Sequence, residues 1–226
     1  MTAKRLRILE LVLVLSIAFL PSLVQSIYFQ LTGVLRDYTA DNNGTHVAWI
    51  FQSILSIVLM FYILFRNNKS YKHIGLRFNI TWNDILVSIG LLLAAGIART
   101  ILTGLVSVPF PDFFKQASNP QNLGFIRTGS FGFLLLIMII VPIQEELIVR
   151  GFTMTEIFQL SESKGLAIII SVLIQFSYHL YQGIAPAILM LPIFIVFSIY
   201  FIKTGNLNPV VLCHVFTDII ALAMQK

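Results

Sequence analysis

The chain has 226 residues, 57% hydrophobic and 11% charged, with a mean hydropathy of +0.87 and a formal net charge of +5. So few charges exclude an ordinary soluble domain, in which about a quarter of residues are charged. The positive balance gives no ground for nucleic acid as a partner, because the basic residues lie mostly in short loops, where they orient a membrane protein. At about 20 apolar residues per span the length holds about seven transmembrane helices and little else. The expected fold class is therefore all-α, a polytopic transmembrane helix bundle.

In chain order, the apolar stretches fall at about 8–35, 46–65, 84–108, 129–158, 165–182, 185–202 and 208–224. The first follows Lys4-Arg5-Leu6-Arg7, which looks like the basic start of a signal peptide. It runs well past signal length, without a clear cleavage site, and is expected to stay as an uncleaved span. Pro21 inside it is tolerable as a kink. The longest loop, Pro109 to Asn122, mixes prolines with Phe110, Phe113 and Phe114, a composition suited to the membrane surface. Asn208-Pro209 reads as cap and first residue of the last helix.

Basic residues set the orientation. Lys4, Arg5, Arg7, Arg66, Lys69, Lys72, Arg77, Lys164 and Lys203 fall on one side, against Arg36, Lys115, Arg127 and Lys226 on the other. The positive-inside bias puts the N-terminus in the cytoplasm. We expect residues 1–80 to form a transmembrane hairpin with a basic cytoplasmic loop, and residues 81–226 to form the functional core. The sequon at Asn43-Gly44-Thr45 is too common a triplet to carry weight, and no repeat or low-complexity segment is present. The only cysteine, Cys213, excludes an internal disulfide. It adjoins His214, but consecutive helical residues do not face each other, so it reads as a small buried side chain rather than a nucleophile.

Chemistry concentrates in the last third. An ionisable group at bilayer depth is costly and by default functional. Glu145-Glu146 with Arg150, His179, and His214 with Asp218 lie on three separate apolar stretches. Glu146 and Arg150 stand at i, i+4 with the acid first, the favoured order for a helical ion pair. Glu145 points elsewhere and has no helical partner. A desolvated, unpaired carboxyl of this kind suits a general base, although both acids could also sit in water at a helix end. His179, near the end of its stretch, reads equally well as an interfacial residue. His214 and Asp218 at i, i+4 suggest a buried imidazole–carboxylate pair, whether catalytic or structural. Arg99, mid-span in the third stretch, is expected to pair with a core acid, a substrate carboxylate or a backbone carbonyl. The helical H-E-x-x-H zinc signature and a glycine-rich phosphate loop are both absent. Glu145, His179 and His214 remain possible metal ligands, since zinc takes such donors from any spacing.

In this order the residues resemble the CPBP family of intramembrane proteases, which includes type II CAAX prenyl endopeptidases and bacteriocin-processing or immunity proteins. Glu145-Glu146-Leu147-Ile148-Val149-Arg150, followed by Gly151-Phe152, is similar to the family's first motif. His179 matches the end of the second, with Ser171 fitting eight residues earlier, and His214 to Asp218 matches the last. Thr204-Gly205-Asn206-Leu207 and Pro209 reproduce the approach to that helix. Gln175 stands where the second motif usually has Phe, and Asp218 stands where Asn is common. An ionised Asp cannot donate to an oxyanion, so Asp218 is either protonated or orients His214.

The resemblance, which spans about residues 80–225, implies an endopeptidase acting on a membrane-associated protein or peptide in the bilayer, of CAAX or leader-peptide type. Glu145, assisted by His179, would activate water. His214 and Asp218 would stabilise the oxyanion, and Glu146 with Arg150 would hold the helix. No cofactor is expected, with a zinc-dependent version as the alternative mechanism. A non-catalytic scaffold or immunity protein, or a proton-coupled transporter, are the alternatives of other classes.

Overall fold

The computed structural model describes residues 3–32, 43–117 and 130–223. Arg36, Arg127, Lys226 and the end of the Pro109 to Asn122 loop lie outside them. Within a bilayer each segment has to satisfy its own backbone N–H and C=O groups, which long apolar runs achieve as helices. The helices are α1 (Ala3–Thr32), α2 (Asn43–Arg66), α3 (Trp82–Ser107), the short α4 (Pro111–Ala117), α5 (Phe131–Ser161), α6 (Lys164–His179), α7 (Ile184–Thr204) and α8 (Asn208–Ala223). No strand occurs among the described residues. Single 3₁₀ turns stand at Tyr71–Ile74 and Leu180–Gln182.

Six of these helices (α1, α2, α3, α5, α6 and α7) are long and apolar enough to cross a membrane. The sixteen-residue α8 is apolar but shorter, which fits the expected count of about seven spans. Their outer faces carry exposed Leu, Ile, Val and Phe, such as Val58, Leu93, Ile101 and Leu173. The protein is an integral, multi-pass membrane protein.

Around the bundle each helix packs on the next in the order α1, α2, α5, α8, α3, α7, α6 and back to α1. One stretch leaves this ring. Residues Glu146–Met154 of α5 form a π-helical segment, all nine of them buried, touching α1, α2, α6, α7 and α8. Pro142 precedes it and has no N–H to give the preceding turn, and the N–H of Glu146 reaches both the Pro142 and Ile143 carbonyls. The helix widens there. π-Segments of this sort are rare and tend to mark functional sites.

A clamp at the basic end of the bundle fixes where α8 begins. Asp84 is fully buried and accepts from Arg77 Nη2 at 2.8 Å, Asn206 Nδ2 at 2.8 Å and the Thr81 hydroxyl at 2.9 Å. The expected N-cap role of Asn208 is not what the chain uses. Its side chain accepts from the Arg77 N–H at 3.0 Å and donates to the Arg77 carbonyl at 2.7 Å, so both ends of the amide go to the loop after α2. The Leu207 carbonyl takes the first N–H groups of α8 instead. Gly75, at φ +74°, offers its carbonyl to Leu207 N–H at 2.9 Å. Nearby, Glu156 of α5 binds Arg7 of α1 at 2.6 Å and Lys69 and His73 of the same loop. Arg99 is exposed on α3 without a hydrogen bond or ion pair among the described residues, so it meets none of the protein partners expected for it.

A Cβ on Gly75 would stand 2.4 Å from the Gly205 carbonyl oxygen, and the left-handed φ forbids an easy escape. Gly75→Ala is therefore expected to cost about 2 kcal/mol or more. A thermal unfolding curve in detergent checks this, and an unchanged midpoint contradicts it.

Candidate active site

Glu146 is the fixed point of the site. It is fully buried, and its Oε1 accepts from Arg150 Nη1 at 3.1 Å and from His214 Nδ1 at 2.7 Å. The ion pair expected from the i, i+4 spacing is present. Its second partner, on α8, is not visible in the sequence. Arg150, also fully buried, reaches the Phe194 carbonyl of α7 at 3.4 Å and lies about 6 Å from the Phe194 and Phe197 ring centroids, where the ring quadrupoles help hold a cation. One glutamate and one arginine thus tie α5, α7 and α8 together.

Gly151 makes this approach possible. A Cβ there would fall 3.0 Å from Leu207 Cδ2 and 3.1 Å from the Ile74 carbonyl oxygen. The start of α8 and the Tyr71–Ile74 turn press directly on the α5 backbone, and further along both helices Glu146 and His214 meet.

The expected His214–Asp218 pair is looser than the spacing suggested. His214 Nε2 stands 3.9 Å from Asp218 Oδ1, a separation too long for a hydrogen bond. The shorter contact goes to Glu146. The imidazole therefore lies between two carboxylates, with the Asp218 side chain partly exposed.

Glu145 is buried on the neighbouring face of α5. Expected to lack a helical partner, it has a long contact, 3.5 Å from Gln175 Nε2 of α6, and the Tyr178 hydroxyl of the same helix lies beside it. Gln175 stands at the position where a Phe was expected, and its backbone carbonyl receives His179 Nδ1 at 2.8 Å. A carbonyl only accepts, so Nδ1 carries the proton and Nε2 is left open. The His179 ring packs against Tyr178, Phe194 and Tyr181, and the charges acting on it are those of Glu145, His214 and Arg150. His179 is buried rather than interfacial. All four proposed catalytic residues, with Glu146 and Arg150, belong to one neighbourhood of α5, α6 and α8. Ser171, also noted from the motif, bonds Ser198 of α7 at 3.2 Å, a polar tie between two spans.

Several buried polar atoms around this neighbourhood have no partner: Gln144 Nε2, Glu146 Oε2, Arg150 Nε, Thr153 Oγ1, Gln175 Oε1 and the Tyr178 hydroxyl. Such atoms are costly in an apolar setting unless something else binds there. Of these residues Glu146, Arg150 and Gln175 had a signal in the sequence, whereas Gln144, Thr153 and Tyr178 had none.

As the side chains sit, no group of three or more His, Cys, Asp or Glu among the described residues is arranged to hold a metal ion. His214 Nδ1 is engaged by Glu146, and His179 Nδ1 by a carbonyl. Each imidazole keeps its Nε2 for a substrate, a proton or a metal.

The architecture is an all-helical membrane bundle with paired acids and two histidines among its spans. Residues 127–220 match the family model described as Type II CAAX prenyl endopeptidase Rce1-like. The match covers less than half of the chain and supports the likeness to the CPBP family that the motifs implied. No curated protein and no solved structure matches the chain.

Removing the charge of Glu146 leaves Arg150 buried with no counter-ion. Glu146→Gln is expected to lower stability by about 3–5 kcal/mol. Denaturation in detergent measures it. A variant as stable as the wild type shows that the carboxylate is not holding the bundle.

Proposed function

We propose that the protein is an intramembrane endopeptidase that hydrolyses a peptide bond of a membrane-associated protein or peptide, of CAAX or leader-peptide type, with water activated by Glu145. The observation that carries this reading is the contrast between the adjacent acids. Glu146 is spent on the charges of Arg150 and His214, whereas Glu145 has no ion pair and keeps neutral neighbours, the Gln175 amide and the Tyr178 hydroxyl, beside the open Nε2 of His179.

In the proposed reaction, a water between Glu145 and His179 Nε2 gives a proton to the Glu145 carboxylate while its oxygen attacks the scissile carbonyl carbon. His214, protonated on both nitrogens, donates from Nδ1 to Glu146 and from Nε2 toward the oxyanion. Asp218 holds the outer side of that imidazole. The proton on Glu145 then passes to the leaving amine as the C–N bond breaks, which restores the carboxylate. Preorganised donors of this kind act without reorganisation in a setting with little water. The basic end of the bundle, with Arg7, Arg66, Lys69 and Arg77, lies on the cytoplasmic side in this reading.

Peptide termini in membranes containing the wild type, compared with Glu145→Gln, test the reading. Termini unique to the wild type are expected, and they should survive a strong divalent-metal chelator. Termini lost with chelator and restored only by zinc would replace the glutamate mechanism with a metal one. Identical termini with equal amounts of folded protein remove the enzyme altogether.

The role of Asp218 has its own outcome. Asp218→Asn should retain substantial activity, because an amide can occupy the same place beside His214. Asp218→Ala should lose about a hundred- to a thousandfold in rate, the usual cost of an oxyanion donor, because His214 is then no longer held in place to donate. Equal activity in both variants shows that this side chain plays no part.

A further inference from the structure

We propose that Ser26 of α1 is a positioning residue for the hydrolysis, which holds the peptide unit that carries His179; this rests on the endopeptidase reading above. Ser26 is fully buried, and its hydroxyl donates to the Tyr178 carbonyl of α6 at 3.2 Å. Hydroxyls inside helices commonly turn back on a carbonyl of their own helix. Ser56, Ser88, Ser177 and Thr217 do so, each bonding a carbonyl three or four residues earlier. Ser26 reaches across to another span instead, and the carbonyl it meets is the one directly before His179.

The Tyr178 oxygen and the His179 Cα belong to one planar peptide unit, so a bond that fixes the oxygen also fixes the point from which the imidazole starts. Helix α6 ends at His179, and the chain passes there into the Leu180–Gln182 turn. The last four carbonyls of a helix have no N–H of that helix to bind, and helix ends fray. An imidazole that acts from the final residue therefore needs an anchor outside its own helix. The bond from His179 Nδ1 to the Gln175 carbonyl, at 2.8 Å, sets the ring against α6. Ser26 sets the end of α6 against the bundle.

Two further contacts make α1 the reference for this end. Phe19, about two turns before Ser26 and on the same face of α1, stacks on the Tyr178 ring with centroids 4.4 Å apart and planes 2° from parallel. Tyr178 is thus held at both its ring and its carbonyl. At the basic end of the bundle, Arg7 of α1 pairs with Glu156 of α5 at 2.6 Å. Helix α1, outside the residues that match the family model, thereby ties the helix of Glu145 to the helix of His179.

Ser26→Ala removes the hydroxyl and leaves the stack. Ser56→Ala, which removes an equally buried hydroxyl bonded within α2, is the control. Membranes from cells producing the full chain as wild type, Ser26→Ala, Ser56→Ala or Glu145→Gln are compared for the initial rate at which wild-type-specific peptide termini form. The expected result is no such termini with Glu145→Gln and a wild-type rate with Ser56→Ala. With Ser26→Ala the rate should be about ten- to a hundredfold lower, the scale of a misplacement of about 1 Å. The nitrogen NMR spectrum of histidine-labelled protein in detergent reads His179 directly, its signals being those lost in His179→Gln. The wild type should show the single tautomer protonated on Nδ1, and Ser26→Ala a mixture of both. A wild-type rate in Ser26→Ala, with Glu145→Gln inactive, overturns this inference alone. So does an equal loss of rate in Ser56→Ala, or an unchanged His179 signal in Ser26→Ala, either of which marks a merely structural hydroxyl. If no termini distinguish the wild type from Glu145→Gln, the endopeptidase reading falls and this inference with it.

Discussion

A carboxylate with no exposure to solvent, in the middle of a lipid-facing bundle, cannot stay ionised without partners, and Glu146 has two of them on one oxygen. Helices in lipid gain little from hydrophobic contact with each other, because the surrounding tails are equally apolar. Close packing and buried polar ties therefore decide which helices meet and in what register. Arg150 brings α7 to the carboxylate through the Phe194 carbonyl and two aromatic faces. His214 brings α8. The arrangement of the candidate site follows from that one buried charge.

The same constraint separates the roles of two residues that look alike in sequence. The helix passes from α to π geometry between Glu145 and Glu146. The first acid faces α6 and the second faces α7 and α8. One is consumed by structure, and the other keeps a carboxylate with neutral neighbours beside an imidazole. Neighbouring acids with divergent surroundings are how a site obtains both a fixed charge and a reactive one.

A second set of contacts acts at a distance from the chemistry. Asp84, Arg77, Asn206, Asn208 and Gly75 fix the start of the short helix α8 against the loop after α2. Since α8 is a rigid rod from Asn208 onward, that anchor determines where His214 stands. On the opposite flank, Phe19 and Ser26 of α1 do the same for the end of α6. The histidines are thus positioned from both sides by parts of the chain that carry no reactive group.

The spans were legible from hydropathy alone, because lipid demands long apolar helices whatever the topology, and predicted and observed boundaries differ by only a few residues at most of the described ends. The Glu146–Arg150 pair was legible as well, since an i, i+4 spacing is a local property. So were the identities of Glu145, His179, His214 and Asp218, as ionisable groups in apolar runs. What local spacing could not reveal was contact across helices. The i, i+4 rule joined His214 to Asp218, yet the packing of α8 on α5 turned its nearer nitrogen to Glu146. The Asn208-Pro209 signal suggested a cap, and a loop far away in sequence claimed the amide instead. Tyr178 and Phe19 looked like ordinary residues of greasy helices, and only the packing of α1 on α6 gave them a place. Sequence determines what each helix is, because that depends on neighbours a few residues away. Tertiary structure decides which side chains share a charge, because that depends on how whole helices rotate to satisfy buried polar groups.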